Sequence, residues 1–161
     1  MPAATCPSRD RAQAVQPQST RAELLLLTSS AMDIVSTLER PIDGAAVINL
    51  YNEAKWWPAR TPEQVQSILA TGPAVGAWDA DELVGFARAV SDGCFRAFVE
   101  DVVVRDDHRR QGAATRMVEV LLELLSEIDV VSLLCGADLA AFYERTGFNA
   151  TSQVVLHRTR R

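Results

Sequence analysis

With 161 residues, 48% of them apolar, and a formal net charge of −5, the chain suits one soluble domain long enough to bury a core. It has no Lys/Arg cluster, which argues against nucleic-acid binding, since that rests on basic side chains displacing counterions. Cys6, Cys94 and Cys135 are far apart and form no C-x-x-C pair. They exclude a metal ribbon or a disulfide framework and leave a reduced, cytoplasmic compartment as the expectation.

Residues 1–20 are rich in Ala, Gln, Pro, Ser and Arg and show no apolar period, so a disordered tail is expected, with the folded domain over residues 21–161. Leu24–Leu27 suits a short strand or one helical turn, and is too short to span a membrane or to serve as a signal core. Ile34–Leu38 reads as a first strand, ended by Arg40-Pro41. Asp43 then caps a helix to about Ala54, with Val47, Leu50 and Tyr51 at helical spacing. Thr61-Pro62-Glu63-Gln64 opens a second helix in capping-box register, which stops at Thr71-Gly72-Pro73.

Three β-like runs follow, Ala74–Trp78, Leu83–Val90 and Cys94–Val104, separated by turns at Asp79–Glu82 and Ser91-Asp92-Gly93. That is the pattern of an antiparallel meander. A long helix over about Gly112–Ser126, a strand at Val130–Cys135, a short helix at Asp138–Arg145 and a last strand at Val154–Thr159 complete an α/β domain without internal repeats. Glu119, Glu123 and Glu127 are the solvated face of the long helix. His108 and His157 lack metal-ligand spacing, and no metal is expected.

The most informative segment is the handover from Val102-Val103-Val104 through Arg105–Gln111 to Gly112-Ala113-Ala114-Thr115. A helix start leaves N–H groups unpaired and carries the positive end of the macrodipole, so an anion fits there. Small residues let phosphate oxygens approach the main chain, and Gly112 can take dihedrals other residues avoid. The segment is neither a Walker loop nor a dinucleotide glycine motif. An ordinary strand–loop–helix connection accounts for the same residues.

Arg109-x-x-Gly112-x-Ala114 resembles the pyrophosphate signature of the GNAT superfamily of acyl-CoA-dependent N-acetyltransferases, and Phe142-Tyr143-Glu144-Arg145-Thr146-Gly147-Phe148 resembles that family's F-Y-x-x-x-G-F segment. The likeness runs from about Ile34 to Thr159 and is weak before Leu83. It implies a single GNAT-like α/β domain: a mixed, mostly antiparallel sheet, splayed between its fourth and fifth strands and flanked by helices. It also implies acetyl-CoA as co-substrate. Pantetheine would lie in the gap against the backbone of Val102 and Val104, and an N–H near Val103 would polarise the thioester carbonyl. The N–H groups of Arg110, Gln111, Gly112, Ala113, Ala114 and Thr115 would hold the pyrophosphate. Arg109 and Arg110 either add charge to the phosphates or are solvated loop residues.

Three departures stand out. Ala114 replaces the commoner second glycine, Ala113 replaces a larger aliphatic, and Cys135-Gly136-Ala137-Asp138 lacks the asparagine common after the fifth strand.

By position, Tyr143 is the general acid. A phenol with a pKa near 10 keeps its proton at neutral pH and can give it to a thiolate. A packing role between Phe142 and Phe148 is the alternative. Glu100 is the candidate base, one strand face with Phe98, with a solvated carboxylate as the alternative and water as another base. Asp101 points to the opposite face unless a bulge intervenes. Trp56 and Trp57 either wall the acceptor site or place one indole in the core. The stretch Val84–Asp92 is similar to a GNAT subgroup that includes plant-type serotonin N-acetyltransferases, which implies arylalkylamine acceptors.

The expected activity is direct acetyl transfer to a primary amine, chiefly a small molecule, with a homodimer left open. A protein lysine or N-terminal acetyltransferase, a CoA-binding sensor without turnover and a pure interaction domain are the alternatives.

Overall fold

The computed structural model describes residues 32–158. The expectations for residues 1–20 and for Leu24–Leu27 lie outside it. Five strands form one sheet in the order β1 (Asp33–Ser36), β2 (Ala74–Asp79), β3 (Glu82–Ser91), β4 (Arg96–Val104) and β5 (Val130–Leu133). The first three pairings are antiparallel and β4–β5 is parallel. The parallel pair needs a crossover, and the helix α3 (Ala113–Leu124) supplies it.

The two faces of the sheet bury separate halves of the core, as period-two alternation requires. On one face α3 sets Met117, Leu121 and Leu125 against Val75, Ala77, Val84, Ala87, Ala97, Val99 and Val104. Met117 lies over Gly85, where an added Cβ would come within 3.0 Å of its terminal methyl. Glycine there lets the helix approach the sheet closely. On the other face α1 (Gly44–Glu53) and α2 (Pro62–Leu69) pack Val47, Leu50, Tyr51 and Val65 on Ala74, Trp78, Leu83, Phe86 and Val103.

Both helix starts follow the local signals. Asp43 accepts from the N–H of Ala45, and Thr61 and Gln64 complete a reciprocal capping box. The short helix α4 (Ala140–Glu144) follows a 3-10 turn at Ala137–Leu139, so the helix expected from Asp138 is split.

One expectation fails. Residues 153–158 form no strand, and Val154, Val155 and Leu156 are 82%, 51% and 90% exposed. The β-branched run has strand propensity, but it takes no ladder partner among the described residues, and propensity without cross-strand packing does not make a strand.

Candidate active site

β4 runs alongside β5 only from Arg96 to Val99, where Val99 meets Leu133. From Glu100 onward its outer edge has no strand beside it among the described residues. The sheet is therefore open between β4 and β5, in line with the expected splay. Two residues past the split, Asp101 has a left-handed φ of 55°. The ladder to β3 passes from Arg88↔Glu100 to Phe86↔Val103, so Asp101 and Val102 both face Ala87. This is a β-bulge.

The bulge turns Asp101 to the same face as Glu100, toward α1. Strict alternation would have sent it the other way. It also sets the main chain beyond it. Arg105 N–H donates to Val84 O, so alternation turns the main-chain groups of Val103 toward β3 and those of Val102 and Val104 toward the gap. Val104 O accordingly accepts from Arg109 Nε at 3.0 Å, outside the ladder. Val102 and Val104 thus offer main-chain donors to the opening, whereas the N–H of Val103 faces β3.

The loop from Arg105 to Gln111 is braced by its own side chains. Arg105 pairs with Glu82 and with Asp107, the latter at 2.8 Å. His108 meets Asp107 at 2.6 Å and Asp79 at 3.1 Å. Asp107, chiefly through its bond from Arg105, is held down at about 2, and the Asp107 hydrogen bond, followed by that of Asp79, holds the imidazole above its ordinary value.

Arg109 spends Nε on Val104 and Nη2 on Asp106 at 2.8 Å, yet its side chain stays half exposed. Arg110 and Gly112 are both left-handed, at φ 61° and 84°. The first bond into α3 runs from Arg116 N–H to Gly112 O, which leaves the N–H groups of Ala113, Ala114 and Thr115 without an intrahelical acceptor. A cavity of about 300 Å³ opens over them, lined by Gly112, Ala113, Ala114 and Thr115 with Arg110, Phe142 and Arg145. Phosphate oxygens suit this lining: small side chains, orphan donors and the guanidinium groups of Arg109, Arg110 and Arg145. The sequence sets Arg145 in a motif but not beside this cavity. Only the fold of α4 onto the loop brings it there.

Tyr143 is half-buried, edge-on to Phe142 at 4.7 Å and to Phe148 at 6.0 Å between ring centroids. Among the described residues its hydroxyl makes no hydrogen bond. Burial first, and the nearby Cys135 second, push its pKa above 10. The phenol keeps its proton throughout the physiological range and stands beside the residues that follow β5.

Glu100 sits on the α1 face, its carboxylate 2.5 Å from Arg88 Nη2 and its side chain 37% exposed. Asp101 beside it is buried and receives Arg88 Nε at 2.6 Å, the Tyr51 hydroxyl at 2.9 Å, Arg60 Nη1 at 3.2 Å and Trp57 Nε1 at 3.2 Å. Burial opposes its ionisation, but the bond and charge of Arg88, the Tyr51 hydroxyl and Arg60 outweigh it and hold Asp101 below the usual carboxylate range. Neither Trp56 nor Trp57 enters the core: they are 39% and 50% exposed, and the buried indole is that of Trp78. A larger cavity of about 620 Å³, between α1 and the β2–β3 hairpin, holds neither Tyr143 nor the donors of α3. Among the described residues no cluster of His, Cys, Asp and Glu could hold a metal ion, and no helix is long and apolar enough to cross a membrane.

A family model described as the acetyltransferase (GNAT) family matches residues 44–148. An uncharacterized N-acetyltransferase of Porphyra purpurea is 27% identical over 136 residues, which cover 77% of this chain and 78% of that protein. A like-named protein of Pyropia yezoensis is 38% identical over 69 residues, 42% of this chain, and the match spans only 40% of that relative's length. Among solved structures, a GNAT family acetyltransferase from Streptococcus pneumoniae superposes with a TM-score of 0.65 at 25% identity, over 80% of this chain and 100% of that one.

Proposed function

The chain belongs to the GNAT family of acetyltransferases, and from that premise we propose that it moves an acetyl group from acetyl-CoA to a primary amine of a small molecule by direct attack. The observation that carries this reading is the edge of β4 beyond Val99, unpaired among the described residues, which leads to the orphan donors of α3. The half-buried Tyr143 phenol, close to Cys135 after β5, supports it.

Each part has one task. The donors of Ala113, Ala114 and Thr115, with Arg110 and Arg145 around them, hold the pyrophosphate. The gap-facing main chain of Val102 and Val104 orients the pantetheine arm, and the donor nearest the bulge polarises the thioester carbonyl. The amine nitrogen bonds to the carbonyl carbon and the C–S bond breaks. The departing sulfur takes the Tyr143 proton, and the nitrogen gives one proton to Glu100 or to water.

Thiol release from acetyl-CoA, assayed across aryl, polyamine, aminoglycoside and peptide amines, tests the reading. Turnover with a small amine supports it. Turnover with peptides alone makes the protein a lysine or N-terminal acetyltransferase, and tight CoA binding without turnover makes it a sensor.

A further inference from the structure

We propose that Asp101 is a positioning residue for the acceptor side of this site: its carboxylate fastens the α1–α2 connection to the β4 bulge, so that Trp57 and Arg60 form the wall an incoming amine meets. The proposal rests on the acetyl-transfer reading above.

Asp101 cannot itself be the base. Its side chain is 3% exposed, three donors, from Tyr51, Arg60 and Arg88, converge on Oδ2, and the Trp57 indole N–H takes Oδ1. Its action is therefore through its partners. Two of them, Tyr51 on α1 and Arg88 on β3, are scaffold. The other two, Trp57 and Arg60, lie in the eight residues between α1 and α2, a segment that carries no strand or helix of its own.

The geometry of that segment depends on the carboxylate. Trp57 has a left-handed φ of 49°, a conformation a tryptophan keeps only where surroundings over-determine it. Here the surroundings are the indole N–H bond to Oδ1 and the Arg60 guanidinium, which lies 4.2 Å from the Trp57 ring centroid and 5.5 Å from that of Tyr51. Asp101 holds that guanidinium through Oδ2. One carboxylate thus fixes both the indole edge and the cation stacked on it.

The result is an ordered indole that stays 50% exposed, one side chain away from the bulge and two residues past the last β4–β5 pair. The clamp presents the ring to solvent beside the bulge, where the proposed acetyl transfer takes place. The wall meets the stem that carries the amine, so its loss raises the amine KM and leaves the nucleotide end untouched.

The test uses Asp101→Asn, Arg60→Gln and Trp57→Phe in the full chain, the last two because Asp101→Asn can fail to fold. Calorimetry with CoA is expected to stay within about twofold of wild type for Arg60→Gln and Trp57→Phe. With phenethylamine, spermidine or a lysine peptide, whichever the wild type turns over, the amine KM rises about tenfold or more while kcat changes little, a pattern that marks lost binding. An acetyl-CoA KM that rises as much as the amine KM, or an amine KM that does not move, overturns the proposal.

A readout free of acceptor is the Trp57 indole N–H resonance. It is expected to move toward that of a solvent-exposed indole in Arg60→Gln, and an unmoved signal refutes the clamp. Wild-type protein that binds CoA yet acetylates no amine of the aryl, polyamine, aminoglycoside and peptide panel sinks the acetyl-transfer reading and the wall's purpose with it, while the resonance alone decides the clamp.

Discussion

Trp57 and Asp101, 44 positions apart in the chain, are both held in left-handed backbone and are joined by the indole N–H to Oδ1 at 3.2 Å. One sits in a connection without regular structure and the other in the bulge of β4. Each conformation is costly alone, and the bond ties the two costs to a single arrangement at the mouth of the β4–β5 opening.

Tyr143→Phe removes the hydroxyl proposed to protonate the leaving sulfur and keeps the ring between Phe142 and Phe148. A positioned general acid contributes about 10²-fold or more. We expect kcat to fall by that order with CoA affinity unchanged, measured by thiol release and calorimetry. An unaltered kcat under single-turnover conditions removes Tyr143 from the chemistry.

Glu100→Gln tests the other proton. The amide keeps the shape and a contact to Arg88 but cannot take the amine's proton. If Glu100 is the base, kcat/KM for the amine drops by about 10²-fold, while calorimetry with CoA reads as in wild type. Full activity in the variant assigns the step to water.

At Gly112 the two effects of a side chain separate. Nothing lies within 4 Å of an added Cβ, but φ is 84°, which costs an L-residue about 1–2 kcal/mol. Gly112→Val therefore destabilises modestly, and its branched side chain stands over the donors of α3. CoA affinity should fall more than tenfold, with Gly112→Ala intermediate. Normal affinity by calorimetry in the valine variant would show the pyrophosphate binding elsewhere.

The His108 brace carries a pH signature. Its folded pKa lies above 6.5, because the protonated ring donates to both Asp107 and Asp79. A raised pKa gives stability that is complete below the unfolded value and fades as pH rises through the folded one. The thermal midpoint of wild type should exceed that of His108→Gln at pH 6 and converge on it by about pH 9. A gap that widens with pH contradicts the brace.

The chain alone determined the elements whose signals are local. Asp43 and the Thr61–Gln64 box start helices because their side chains reach N–H groups two or three residues on. Gly112 marks the turn into α3 because no other residue accepts its dihedral freely. The motifs at Arg109–Ala114 and Phe142–Phe148 named the family for the same reason: each is contiguous. What tertiary structure decided was everything that depends on register or on a missing partner. The bulge at Asp101 reverses the face of a carboxylate, brings Arg88, Tyr51, Arg60 and Trp57 to it, and points Val102 and Val104 into the gap. Val154–Leu156 has the residues of a strand and makes none, since a ladder needs a second edge and no edge among the described residues meets it.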